Sequence, residues 1–523
     1  MTVTPSTPRL PIRTAYIHLD LGIGGAERLV VDLACCTGRE SSSASQTRVT
    51  ESVRLYTSRL SPTHCFPEVR PGPGATGGSL SRSVRVAGTF IPAEVAGRCR
   101  AAMSTLRMFV LTCAAAADYW TAVLCGLWGV RELLRLWGAD GVRAGFRADV
   151  IVFDILPTAV PLARALTLWR IPVIYYCHFP DKMLTRDTVN GVSAHGEGAA
   201  PRSRPRRLYR ALLDAAEDAT VRSADVVCVN SDFTREEFRS AFPPARGGGI
   251  DPVVLHPCVR LDGPAPAPFD PAAPVGPVVS LNRFERKKDV GLLLRAAATL
   301  RARPGVPPLP PVVVAGGHDP RNAENVAVLS ELRDLSRSLD LDAVVSFRTS
   351  VSDAERTDLL RRAVCVVYTP RREHFGIVPL EAMHAGTPVV ASDSGGPRET
   401  VEHGATGYLA GDEEAFADAL GEILKDPRRA AEMGAAGRER VETYFGEAKF
   451  RERWNDILEG SVERHKGKGE RATVIAMFIV EAAVALLAAL TLNYLLRMAG
   501  VIGHSSSVSR EVKNFFFGSG DEL

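Results

Sequence analysis

CVVYTPRREHFGIVPLEAMHAGTPVVA, residues Cys365 to Ala391, is the stretch on which the fold turns. It opens with a β-branched apolar run, Cys365 to Tyr368, and closes with a second, Pro388 to Ala391. Between them Pro379 suits the first turn of a helix that runs to His384, and Gly386 suits its C-terminal stop. Strand, helix and strand in so short a space form a parallel unit, because antiparallel neighbours would need only a tight turn. The helix start aims its free N–H groups beyond the strand ends, and Gly376, among Phe375, Ile377 and Val378, admits a phosphate closely. Glu381 in the first turn is placed to accept hydrogen bonds from a ribose diol. Glu373, in the loop before it, reaches toward a sugar.

Outward from this unit the same alternation continues. Val278 to Leu281, Val312 to Ala315 and Ala343 to Phe347 complete one α/β series, giving a domain over 278–440. Asn282-Arg283-Phe284-Glu285-Arg286-Lys287-Lys288 follows its first strand directly, and a cation pair at a strand's C-terminal end faces the ligand crevice of an open α/β sheet. Arg283 with Lys288 would neutralise a diphosphate leaving group by charge-assisted hydrogen bonds; a solvated basic turn is the alternative. Upstream, LDGPAPAPFDPAAPVGP, Leu261 to Pro277, is too rich in proline for regular structure and reads as a linker. A first domain, 14–260, is expected from the runs Thr14 to Leu19, Asp149 to Phe153, Pro172 to Cys177 and Asp225 to Asn230. Its first strand leads into Gly22-Ile23-Gly24-Gly25-Ala26-Glu27, where glycines at a helix start admit an anion or merely make a tight turn. His178, at the end of Pro172 to Cys177, would face the donor from the opposite wall, or serve the structure alone.

Bulk properties exclude several classes. Of 523 residues, 46% are hydrophobic and 24% charged, which is ordinary for globular proteins and excludes global disorder. The 63 Lys plus Arg nearly balance 60 Asp plus Glu, so a net charge of +3 draws the chain to no nucleic acid. Ten scattered cysteines with no C-x-x-C pair suit neither zinc nor a disulfide framework and point to reduced thiols. No metal ligand set is read. MTVTPSTPRLPIR at the start lacks the apolar run of a secretory signal, and no Asn opens an N-x-Ser/Thr triplet, so bulk residence in the cytosol is expected.

Two stretches break the soluble pattern. VIAMFIVEAAVALLAALTLNYLL, Val474 to Leu496, is long enough for one transmembrane helix, with Glu481 and Asn493 as blemishes; docking on a protein surface is the alternative. Arg464, Lys466, Lys468 and Arg471 precede it, which places the large N-terminal part in the cytosol, and the ending Gly520-Asp521-Glu522-Leu523 resembles an endoplasmic-reticulum retrieval signal. Met108 to Trp137 carries apolar runs broken by Asp118 and Arg131, with Trp120, Val123, Leu124, Leu127 and Leu134 on one helical face. It reads as a membrane-surface segment or as a core helix pair.

Glu373 and Glu381, with seven residues between them, resemble the Glu-x7-Glu element of glycosyltransferase family 4, and Arg283 with Lys288 is similar to that family's diphosphate-binding pair. Within the family, HLDLGIGGAERLVVD (His18 to Asp32), YCHFPDKMLT (Tyr176 to Thr185), LNRFERKKD (Leu281 to Asp289) and GGHDPRNAENV (Gly316 to Val326) resemble the alpha-1,3/1,6-mannosyltransferases of dolichol-linked oligosaccharide assembly. The resemblance spans nearly all of Thr14 to Leu458. It implies a GT-B fold, two Rossmann-like domains facing a cleft, with a helix over 441–458 returning to the first domain.

It further implies transfer of mannose from GDP-mannose to a dolichol-linked Man1GlcNAc2 acceptor, α1,3 then α1,6, with retention. The endoplasmic reticulum membrane, with the catalytic domains facing the cytosol, is the expected location, and other mannosyltransferases of the pathway are expected partners. No cofactor is implied, and divalent-ion dependence stays open. By the same resemblance Glu373 and His178 sit at the donor sugar, Glu381 at the ribose, Arg283 and Lys288 at the diphosphate, and Gly24 and Gly25 near phosphate and acceptor. Glu373 is then a positioner or a nucleophile. Another family 4 transferase with a different donor or acceptor, and a catalytically silent sugar-nucleotide-binding subunit, are the competing readings.

Overall fold

The structure is a computed structural model and describes residues 12–38, 52–72, 77–89, 100–125, 145–186, 204–243, 250–260 and 275–466. Two wholly parallel sheets organise it. The first comprises β1 (Thr14–Ile17), β2 (Val53–Thr57), β3 (Val84–Val86), β4 (Val150–Asp154), β5 (Val173–Cys177), β6 (Val226–Val229) and β7 (Val253–Val254), in the order β3-β2-β1-β4-β5-β6-β7. The second comprises β8 (Val278–Leu281), β9 (Val312–Gly316), β10 (Val345–Thr349), β11 (Cys365–Tyr368), β12 (Val389–Ser392) and β13 (Gly407–Ala410), in the order β10-β9-β8-β11-β12-β13.

The central strands are β-branched runs buried along their whole length, VIVFD in β4 and CVVY in β11, as a sheet covered by helices on both faces requires. Each sheet reverses its strand order once, between β1 and β4 and between β8 and β11. A crevice opens at the carboxyl ends of the strands at such a switch point. The loops after β1, β5, β8 and β11, which carry the candidate residues, all leave strand carboxyl ends. Two sheets so arranged are the two-domain α/β architecture that the resemblance implies.

The strands β2, β3, β7 and β13 have no counterpart among the expected ones. β2 and β3 lie between insertions whose polar sequence masks a short apolar run. Helical residues 447–466 cross back from the second domain to the first. Phe450, Trp454 and Leu458 enter the first domain's core, and Trp454 Nε1 donates to the Tyr16 hydroxyl at 3.0 Å.

Of the two readings of Met108 to Trp137, the core helix holds for one face of its described part. Helix Arg100–Cys125 is continuous and begins well before Met108. Met108, Leu111, Ala115 and Tyr119 are buried in the first domain's core, and Trp120 and Val123 pack against it. Asp118, which interrupts the apolar run, is a buried core group: the Tyr56 hydroxyl donates to it at 2.9 Å and Arg85 Nη1 at 2.6 Å. The Trp120 face therefore meets protein. Residues 126–137, the membrane-spanning reading over 474–496, and 261–274 of the linker lie outside the described residues. Among the described residues no helix is long and apolar enough to cross a membrane.

Candidate active site

Helix Ile377–His384 begins where the sequence places it, and Gly376 is its N-cap in the left-handed region, φ +80°. No side chain caps this end, so its N–H groups stay available to an anion. A Cβ on Gly376 would stand 3.2 Å from Tyr368 Cε1, which adds a steric reason for glycine. The glycine loop after β1 makes a similar uncapped end, with Gly24 preceding helix Gly25–Cys35. Open space surrounds the position of a Cβ on Gly25.

Lys288 and Glu373 meet directly. Lys288 Nζ donates to Glu373 Oε2 at 2.5 Å, although 85 residues separate them. Burial pushes the Glu373 carboxyl up, but the Lys288 charge and hydrogen bond more than reverse this, so Glu373 titrates below the usual range. Lys288 is set by its backbone: its carbonyl accepts from Thr369 Oγ1 at 2.6 Å, just after β11. Arg283 projects to solvent, 65% exposed, beside Glu285 at 3.7 Å. Arg286 points elsewhere, onto Glu331 at 2.5 Å.

Glu381 is engaged by Arg356 Nη2 from helix Asp353–Arg362. Burial raises its carboxyl above the usual value against the opposing charge of Arg356. Glu381 and Arg356 line an interdomain cleft of about 310 Å³ with Arg28, Asp32, Arg260 and Ile377. The Phe375 ring turns away from the cleft into the core, stacked at 5.6 Å on His256. Phe375, read as a donor-binding position, could then meet a ligand through its backbone.

His178 stands on the first domain with Asp154 behind it. His178 Nε2 meets Asp154 Oδ1 at 2.7 Å, and His18 Nδ1 meets Asp154 Oδ2 at 2.8 Å. Burial drives the Asp154 carboxyl up, yet the charge and hydrogen bonds of the two histidines take it well below the usual range. Burial likewise pulls His178 down, and the Asp154 charge outweighs it, so His178 holds its proton to higher pH than a free histidine. Sequence reasoning missed Asp154 and His18. Their signal was the one that found His178: a lone ionisable residue at the carboxyl end of an apolar strand, where a parallel sheet delivers it to the crevice.

The two walls touch. The Phe179 and His374 rings stack in parallel, 3.9 Å between centroids and 5° between planes. Burial holds His374 down to about 4, so it is neutral near pH 7. Asp232, His256 and Glu399 bring one ligand atom each within 4.8 Å of one another, the metal-like grouping found among the described residues. Both Glu399 oxygens already accept backbone N–H groups, from Phe233 and Asp232, whose positive ends would repel a cation. The residues do not fit a metal ion there. The arrangement suits a nucleoside diphosphate sugar: helix ends and Lys288 for phosphate, Glu381 for a diol, and Glu373, His178 and neutral His374 around a sugar.

The comparisons agree with that chemistry. The family model "Glycosyl transferases group 1" matches residues 276–440, and "Glycosyl transferase 4-like domain" matches 50–247. The chain is 36% identical to the alpha-1,3/1,6-mannosyltransferase ALG2 of Homo sapiens over 84% of its own length and 93% of the relative's. It is 34% identical to the protein of the same name from Rhizomucor pusillus, over 86% and 91%. Among solved structures, the sucrose-phosphate synthase of Thermosynechococcus elongatus superposes with a TM-score of 0.58 at 20% identity, covering 86% of this chain and 98% of that one. Anabaena HepE in complex with UDP-glucose gives 0.53 at 17%, over 86% and 100%. Both show the fold alone.

Proposed function

The chain belongs to the alpha-1,3/1,6-mannosyltransferase family, a glycosyltransferase family, and from that premise we propose that it moves mannose from GDP-mannose onto a lipid-linked Man1GlcNAc2 acceptor, first α1,3 and then α1,6. The observation that carries this reading is the Lys288 to Glu373 ion pair on one wall, opposite His178 backed by Asp154 on the other. In the proposed step the bond from mannose C1 to the diphosphate breaks and a bond from C1 to the acceptor oxygen forms. The acceptor's proton passes to the departing phosphate oxygen. Lys288, Arg283 and the uncapped helix ends take up the charge that develops on the diphosphate, which is where fixed dipoles and cations lower a barrier most. Glu373, held by Lys288 and ionised, positions the sugar.

The acceptor's lipid would bring the enzyme to a membrane, and we place that membrane at the endoplasmic reticulum with the catalytic domains on the cytosolic side. Support comes from helix Arg100–Cys125, where Leu106, Phe109, Cys113 and Ala117 form one exposed apolar face at helical spacing. Incubating the purified chain with GDP-mannose and the lipid-linked Man1GlcNAc2 acceptor, then mapping the linkages, tests the function. Products with one α1,3 and one α1,6 mannose added are expected. Transfer from another sugar nucleotide in preference to GDP-mannose, or to a lipid-free sugar alone, would defeat it.

A further inference from the structure

We infer that Glu399 is a positioning residue, a clasp that holds the two domains together over the donor site; this rests on the transferase reading above. Glu399 belongs to the second domain, in helix Pro397–Thr400. Its partners belong to the first. Glu399 Oε2 accepts from Asp232 N at 2.8 Å and Oε1 from Phe233 N at 2.7 Å, the opening N–H groups of helix Asp232–Ala241. A carboxylate spanning two free N–H groups at the positive end of a helix is a charge-assisted contact. His256 Nε2 adds a third contact to Oε2 at 3.1 Å.

What lies on each side of this contact gives it a consequence for the reaction. On the second domain, Gly396 N donates to the Glu373 carbonyl at 2.8 Å, and a Cβ on Gly395 would lie 2.4 Å from that same oxygen. The Glu399 segment and the Glu373 loop therefore move as one piece. On the first domain, Asn230, two residues before Asp232, donates through Nδ2 to the His178 carbonyl at 3.1 Å. Ser231 Oγ caps the same helix, accepting from Thr234 N at 2.9 Å, and donates to the His374 carbonyl at 2.5 Å. Three short links thus run from the Glu373 loop through Glu399 and Asn230 to His178. Arg372, donating to Glu237 at 2.9 Å, reinforces the seam from the edge.

Glu399 touches none of the residues assigned to nucleotide or phosphate. Its removal should therefore loosen the closed arrangement and leave the donor's own contacts in place. Catalysis depends on reacting groups held to within a fraction of an ångström, so loss of the clasp should appear in turnover more than in affinity.

The test uses the full chain with Glu399→Ala and the milder Glu399→Gln, which keeps one acceptor oxygen. At saturating donor and acceptor, kcat of Glu399→Ala should fall roughly 10- to 100-fold, with Glu399→Gln between it and the parent. GDP affinity by calorimetry should stay within about threefold, since GDP contacts are untouched. Hydrogen exchange should quicken both in residues 231–241 and across the seam in 372–376. Turnover near the parent's, GDP affinity lost in step with turnover, or faster exchange confined to 231–241 would each overturn the proposal. Should Glu399→Ala not fold, Glu399→Gln decides by the same readouts. If the parent transferred no mannose, the transferase reading would fail by itself, and hydrogen exchange would still decide whether the clasp exists.

Discussion

Lys288 Nζ and Glu373 Oε2 lie 2.5 Å apart, so the cation assigned to the diphosphate and the carboxylate assigned to the sugar form one unit. Lys288, anchored at its carbonyl by Thr369, keeps Glu373 ionised and in place. Glu373→Gln should therefore lower turnover by roughly 100-fold while GDP, which lacks the sugar, binds almost normally. Initial rates at saturating GDP-mannose beside GDP calorimetry check this. The double variant Glu373→Gln with Lys288→Ala should lose less than the two single losses combined, as for residues in direct contact.

Glu381→Ala should weaken GDP binding by about 1 to 3 kcal/mol, the cost of leaving a ribose diol without its buried acceptor. Arg356 holds Glu381 in the unliganded site, so Arg356→Ala removes a competitor for the same oxygen and should weaken GDP far less. Calorimetry on both variants decides, and equal losses would place Arg356 among the ligand contacts.

The pairing of His178 with Asp154 sets a pH dependence. The folded pKa of His178 is raised, so its contribution to stability is fully present below the ordinary histidine value of about 6.5 and is lost as pH rises through the folded value. Asp154→Asn removes the larger charge and the hydrogen bond that raise it and leaves burial opposed by the lesser Glu27 charge. His178 in that variant should titrate below an ordinary histidine in an NMR titration, and the stability it lent below neutral pH should disappear. An unchanged His178 titration would mean that another group sets its charge.

Gly376→Ala should cost about 1 to 2 kcal/mol of stability, because φ is +80° and the new Cβ would stand 3.2 Å from Tyr368 Cε1. Thermal melting measures the loss. GDP affinity should fall as well, since the helix end that meets the phosphate would shift.

Trp454→Ala should destabilise the chain by roughly 3 to 5 kcal/mol, the range for emptying a large buried site. Trp454 is fully buried, and its Nε1 donates to the Tyr16 hydroxyl at 3.0 Å. Unfolding followed by tryptophan-independent circular dichroism would show it as a lower midpoint.

Most of the buried strands and the residues at their carboxyl ends were legible in the amino-acid sequence, though not their order within each sheet, because parallel strands buried on both faces must be short β-branched runs, and whatever ionisable group follows such a run is carried to the crevice. Gly376, Pro379 and Gly386 marked the helix ends by their own backbone preferences, which are local and need no partner. Lys288, Glu373, His178 and Glu381 could be picked out on the same grounds. Which of them touch could not. The pairing of Lys288 with Glu373, of Asp154 with two histidines, and of Glu399 with the Asp232–Ala241 helix each joins residues distant along the chain. Hydrophobicity patterning carries no information about such pairings, since a side chain's charge state and partner depend on burial and on the neighbours that chain crossing delivers. For the same reason the apolar run around Trp120 looked like a membrane surface. Asp118 and the core residues about it find their partners only when the first sheet is assembled, and that assembly buries this one face of the helix in the protein's own interior.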